Sequence, residues 1–206
     1  MIELLFNNPL AFFLVFGSVL LSLTFHEFAH AFIADKLGDP TPRSQGRVTL
    51  DPRAHLDPLG TIALLLTHFG WGKPVEIDPF NLKNPVRDSA LIALAGPASN
   101  LLIAGLLTVL FHTLSMPEIL MSIIKNLAII NIFLAVFNLV PVHPLDGSRV
   151  VLVILPRTLA LEYQQFMDRY GLFVLLGLLI PWYNGSSPIT TLISPIIDFL
   201  TRTLFG

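Results

Sequence analysis

The chain has 206 residues, of which 53% are apolar and only 13% charged, with a mean hydropathy of +0.73. Soluble domains carry about 25% charged residues, so this chain lacks the ionic groups to coat a water-facing surface, and the same numbers exclude a disordered tail. The absence of cysteine rules out disulfides, thiolate nucleophiles and Cys-held metals, and a net charge of −2 leaves no basic footprint for nucleic acid.

Taken in chain order, the first apolar run, 9–34, is long enough to cross a ~30 Å hydrocarbon layer. Inside it lies His26-Glu27-Phe28-Ala29-His30, an H-E-x-x-H pattern that this composition alone would produce with a chance of about 0.4%. On a helix, positions i and i+4 are about 400° apart, so His26 and His30 project from one side, one turn apart. That spacing lets two imidazoles share one Zn²⁺, while Glu27 sits beside the same face, within reach of a metal-bound water without being a ligand. The bland alternative is a set of polar core side chains satisfied by helix neighbours, but a glutamate in a bilayer span is costly and persists mainly where it acts.

The run 59–71 is apolar but short, bracketed by Pro58, Gly60, Gly70 and Gly72, and reads as a re-entrant or short tilted segment. Residues 73–78, Lys73-Pro-Val75-Glu-Ile-Asp78, alternate polar and apolar side chains. We expect a strand there, part of a small β-hairpin able to pair with an extended peptide, with Lys73 and Val75 as substrate contacts; a plain surface loop is the alternative. The second clear span is 90–115, where Gly96, Ala98 and Ser99 permit close helix packing. The third is 119–140. Beyond it, Pro141 and Pro144 cannot continue a helix and Asp146-Gly147 is a turn pair, so the chain unwinds and directs a carboxylate inward. Two histidines leave a tetrahedral zinc short of a protein ligand, and Asp146 is the best remaining candidate, unless it is only a turn former. The later runs, 170–183 and 189–205, are shorter or broken by Pro195, Asp198 and Arg202, and suit a helical hairpin or interfacial helices.

The whole reads as one all-α polytopic membrane domain, with a catalytic core over about 9–150 and C-terminal helices over about 151–206. Ten of the twelve basic residues (Lys36, Arg43, Arg47, Arg53, Lys73, Lys83, Arg87, Arg149, Arg157 and Arg169) fall on one face, against Lys125 on the other, with Arg202 unassigned. Because Lys and Arg accumulate in cytoplasmic loops, the N-terminus is expected outside and the metal site toward the cytoplasmic side. A cleaved signal peptide is not expected, since the first run is long, lacks a basic start and carries the metal pattern. His55, His68 and His112 read as lone satisfied or solvated histidines.

Three motifs in order then carry a resemblance. His26-Glu27-x-x-His30, Ala95-Gly96-Pro97-Ala98-Ser99-Asn100 and Asn138-x-x-Pro141-x-x-Pro144-Leu-Asp146-Gly147 together resemble the site-2 protease family of intramembrane zinc metalloproteases. The likeness covers roughly residues 15–150 and is strongest to the compact prokaryotic branch without PDZ or CBS domains. It implies one Zn²⁺ per chain on His26, His30 and Asp146, and Glu27 as general base and acid. It also implies that Asn138 holds the substrate backbone and that Asn100 reaches the active-site cleft. Transmembrane proteins are the implied substrates, in the lipid bilayer of the cell membrane. His143 departs from the pattern, where the family usually has Pro.

Two other classes compete. A transporter or channel would spread ionisable groups across depths, whereas His26, Glu27, His30 and Asp146 cluster toward one face. A zinc-binding pseudoprotease is disfavoured by the intact Glu27. Oligomeric state, physiological substrate and cleavage position are left open by the sequence.

Overall fold

The structure is a computed structural model that describes residues 1–67, 70–182 and 185–206. Within these lie helices α1 (Ile2–Asn7), α2 (Pro9–Leu37), α3 (Thr41–Ser44), α4 (Pro58–Thr67), α5 (Pro85–Thr113), α6 (Glu118–Asn138), α7 (Gly147–Ile154), α8 (Arg157–Leu179) and α9 (Pro188–Phe205). Only α2, α5 and α6 are long and apolar enough to cross a membrane. They match the three expected spans, with α2 and α5 each extended by several residues. At 29 residues each, α2 and α5 are about 43 Å long, more than the hydrocarbon layer needs, so part of each projects beyond it.

These three helices pack on one another and form the frame of the molecule. Their outward faces are apolar and exposed, as with Leu102, Leu106 and Val109 on α5 and Leu10, Phe13 and Leu21 on α2, which suits contact with lipid tails. Their inward faces are not purely apolar: Ser22, Asn100 and Asn131 are fully buried between them. Hydrogen bonds between spans, together with small residues, hold membrane helices together where lipid removes the hydrophobic drive.

The chain after α6 leaves helical geometry at Leu139, as the two prolines require, and its turn is anchored by Val140, Val142 and Leu145 in the apolar core shared with α8 and α9. From outside this turn, the Tyr163 hydroxyl donates to the Pro141 carbonyl (3.0 Å), and Gly171 of α8 lies so close to His143 that a Cβ there would stand 2.7 Å from it.

Two expectations change. The helix expected over 170–183 begins at Arg157, because its first half is polar, with Glu162, Gln164, Gln165, Asp168 and Arg169, and so escapes a search for apolar runs; Tyr183 lies outside the described residues. It pairs with α9 as the expected hairpin. The small β-hairpin is not formed: among the described residues no strand occurs, and near the expected hairpin an isolated antiparallel bridge joins Leu56 to Gly72. Residues 73–78 run in irregular backbone. Pro74 has no N–H to give a ladder, and the opposite segment turns away into a 3₁₀ turn at Pro52–Ala54, so pairing cannot propagate.

Candidate metal centre

His26 and His30 face inward from α2 one turn apart, their rings nearly perpendicular at 85° with centroids 4.6 Å apart. Their Nε2 atoms are 3.0 Å from each other, and both meet Oδ2 of Asp146, at 3.1 Å from His26 and 3.3 Å from His30. Asp146 occupies the position before α7 where an acidic side chain commonly caps a helix, yet it makes no capping bond. Its carboxylate turns to the histidines instead.

The opposite ring nitrogens each face an oxygen. Nδ1 of His30 donates to the Ile92 carbonyl (2.7 Å) and Nδ1 of His26 donates to Oδ1 of Asn100 (2.6 Å). With the protons on Nδ1, each neutral imidazole presents a lone pair at Nε2. Two such lone pairs and a carboxylate oxygen therefore converge, and the buried Oδ2 of Asp146 receives no hydrogen bond. Acceptors this close repel unless a cation or a shared proton lies among them. Donors bound 2.0–2.2 Å from a tetrahedral zinc sit about 3.3 Å apart, so His26, His30 and Asp146 fit a single Zn²⁺ and leave one coordination position for water or substrate.

Around this triangle the helices are built to hold it. Asn100 has both amide hydrogens engaged, with the Ser22 carbonyl (3.2 Å) and with Oδ1 of Asn131 (2.8 Å). Asn131 in turn donates to the Ser22 hydroxyl (2.8 Å) and to the Leu127 carbonyl. One buried polar chain thus ties α2, α5 and α6 to the back of His26. Gly96 is the point of closest approach: a Cβ there would lie 2.4 Å from Nε2 of His30 and 2.6 Å from the His26 ring, so even alanine would intrude on both imidazoles. Pro97 beside it lacks the N–H that would bond the Ala93 carbonyl one turn back.

The comparisons with known proteins agree with this geometry. The profile of peptidase family M50 matches residues 115–178, the stretch from α6 through Asp146 into α8. A protein of Bacillus subtilis named "Putative zinc metalloprotease YwhC" is 38% identical over 173 residues, covering 79% of this chain and 78% of its own length. This chain belongs to peptidase family M50, the site-2 proteases. The M50 chain is also similar to "Putative zinc metalloprotease Rip2" of Mycolicibacterium smegmatis, at 35% identity over 66% of this chain and 55% of that one. "Zinc metalloprotease MJ0392" of Methanocaldococcus jannaschii is 24% identical over 73% of this chain and 37% of its own length. No solved structure matches the chain.

The structure disperses the remaining candidates of this M50 chain. Glu27 is buried beside the triangle, with its Oε2 3.8 Å from the Arg47 guanidinium. Asn100 is buried behind His26 with every amide hydrogen used, so it is placed to orient the imidazole and not to meet substrate. Asn138, at the end of α6, donates to the Leu134 carbonyl of its own helix (2.9 Å) and is not hydrogen-bonded to His26, His30 or Asp146. Lys73 and Val75 lie on the irregular 73–78 segment, joined to the site through Arg47, which donates to the Lys73 and Pro74 carbonyls. His143 stays out of the triangle and lines a cleft of about 290 Å³ with Tyr163 and Asp168. His55 is satisfied at Nε2 by the Thr49 carbonyl and His112 by the Leu204 carbonyl, while His68 lies outside the described residues. The residues that the sequence reading passed over are Ser22, Asn131 and Arg47. An asparagine in the middle of a span was the available signal for Asn131; Arg47 looks like any other loop cation.

Proposed function

We propose that this chain is an intramembrane zinc endopeptidase that hydrolyses peptide bonds in or near transmembrane segments of membrane proteins, with His26, His30 and Asp146 as zinc ligands and Glu27 as general base. The observation that carries the reading is the convergence of two Nε2 atoms and a carboxylate oxygen on one point beside a buried glutamate. When bound, the zinc supplies a Lewis acid that polarises the peptide carbonyl and brings the pKa of water toward ~7. Glu27 takes the proton from the attacking water and returns it to the leaving amine. His26 and His30 keep their lone pairs forward because Asn100 and Ile92 hold their other protons. No covalent intermediate on the protein is needed, in keeping with the lack of cysteine.

A transmembrane substrate must first be unwound, which leaves its backbone groups unpaired in lipid unless the enzyme answers them. The irregular 73–78 segment suits that task even without a hairpin. Among the described residues the amides of Val75, Glu76 and Ile77 make no hydrogen bond, so an extended peptide finds an open edge beside the site. Asn138 donates only to its own helix, which leaves its amide oxygen for a substrate N–H. The bias of basic residues supports a multi-pass placement in the cell membrane with the site toward the cytoplasm and the N-terminus outside.

The test is zinc content and cleavage of a model single-span substrate by the wild type and Glu27→Gln. We expect one zinc per chain in both and a loss of cleavage of at least about 100-fold in the variant. Unchanged cleavage would remove Glu27 as the base, and a variant without zinc would assign it a ligand's role instead.

A further inference from the structure

Arg47 is the single Lys or Arg that is buried among the described residues, with 2% of its surface exposed. The neighbouring arginines are surface pairs: Arg43 lies 2.6 Å from Asp35 and Arg53 lies 2.7 Å from Asp51, each reaching into solvent. Arg47 has no such partner. Its backbone is fixed on both sides, by its N–H to the Pro42 carbonyl (2.8 Å) and by its carbonyl to the Thr49 N–H (2.9 Å), so the side chain leaves the loop in one direction. One terminal nitrogen donates to the Pro74 carbonyl (3.2 Å); the other donates to the Lys73 carbonyl and stands 3.8 Å from Oε2 of Glu27, while Nε is buried without a partner. Burying a guanidinium with an unanswered N–H is costly, and a clamp for two carbonyls alone does not require the charge to end beside Glu27.

We propose that Arg47 is a positioning residue that fastens the 73–78 segment to the Glu27 carboxylate, so that the register of an unwound substrate along that segment fixes which peptide bond lies within reach of Glu27. The inference rests on the protease reading given above and adds a determinant of cleavage position to it. The chemistry suits arginine. Its planar fork spans two successive carbonyls and a carboxylate at once, which a lysine ammonium on a flexible stem does not. The separation also suits a base: at 3.8 Å the cation orients the carboxylate without tying up its lone pairs in a tight bidentate bridge.

The experiment compares the full-length, zinc-loaded wild type with Arg47→Met and Arg47→Lys. It measures zinc per chain, amide hydrogen exchange over 71–80, kcat and KM on a model single-span substrate, and cleavage positions by mass spectrometry. For Arg47→Met we expect one zinc per chain, faster exchange at the hydrogen-bonded Lys73 and Asp78 amides, kcat lower by about 10- to 100-fold, and cleavage spread over adjacent bonds. Arg47→Lys restores part of kcat through its charge but keeps the spread, because the two-carbonyl clamp is gone. Wild-type kcat with a single wild-type cleavage position in Arg47→Met overturns the proposal. Should that variant lose zinc or helix content, Arg47→Lys decides: spread cleavage with zinc intact supports the clamp, and wild-type behaviour overturns it. A wild type that binds zinc but cleaves nothing sinks the protease reading, whereas wild-type exchange at the Lys73 and Asp78 amides in Arg47→Met sinks the Arg47 inference whatever the wild type cleaves.

Discussion

Each imidazole at the metal centre is held at the nitrogen that faces away from Asp146, but the two holds differ in what supports them. His30 relies on a backbone carbonyl, which a side-chain substitution cannot delete, whereas His26 relies on Asn100, which is itself held by Asn131 and Ser22. Partners of this kind fix ring orientation, and their loss typically costs 10- to 100-fold in metal affinity. We therefore expect Asn100→Ala to weaken zinc binding by about 10- to 100-fold and Asn131→Ala, one link further out, by about 10-fold at most, measured by competition with a chelator. An equal or larger effect at Asn131 would mean that helix packing, not the His26 orientation, is what the chain protects. This is also where the sequence stops being legible. His26, Glu27 and His30 share five consecutive residues, so helix geometry alone brings them together, and the prolines and Gly147 around Asp146 announce an irregular turn. Ser22, Asn100 and Asn131 sit on three different helices, and whether they meet depends on how each helix is rotated about its axis, which local spacing does not encode.

Between residues and the whole molecule, the element that matters most is the pair of loops that presents 73–78. Asp39, fully buried just past the end of α2, accepts from the Asp78 N–H (2.8 Å), the Thr41 N–H (3.0 Å) and the Asn81 amide (3.0 Å), and the Gln45 amide donates to Glu76 (2.7 Å). Burial works against the Asp39 carboxylate, but these donors outweigh it and hold its pKa below the ordinary value. A folded pKa below the unfolded one makes a stabilising contribution that is fully present above about pH 4 and is lost as pH falls through the lower folded value. Amide exchange over 76–82, corrected for its intrinsic pH dependence, should therefore quicken in the wild type at acidic pH. Asp39→Asn should exchange faster there already at neutral pH and respond little to acid; identical profiles for the two proteins would show that Asp39 does not anchor the segment. The alternation in 73–78 correctly signals chain that does not coil into a helix, yet a strand also needs a neighbour, and the bend at Pro52–Ala54 lies too far away in sequence for a local pattern to register. The boundary of α8 is missed for a different reason. A helix that leaves the apolar layer turns polar without ceasing to be a helix, so apolar run length measures the membrane's thickness and not the helix.

Nothing in the packing of α2, α5 and α6 distinguishes the molecule from the same bundle inserted upside down; orientation rests on the loops and on where their few charges lie. Lys83 and the other basic residues that precede α5 fall on the metal-site end of the bundle, while the α5–α6 connection, around Ser115, falls on the far end. If basic residues mark the cytoplasmic face, the two ends differ in which aqueous compartment can reach them. The lack of cysteine makes this directly measurable, because a single introduced thiol is the only one in the chain. Lys83 and Ser115 are both exposed, and neither side chain takes part in the metal centre. With a membrane-impermeant maleimide, Lys83→Cys should be labelled only in inside-out vesicles and Ser115→Cys only in right-side-out cells, both with cleavage activity retained. The reverse pattern would invert the topology and place the water that reaches Glu27 on the outer side. Labelling of both sites from one side would mean that α5 does not cross the membrane at all, and with it would fall the enclosed site on which Gly96, Ile92 and Asn100 converge.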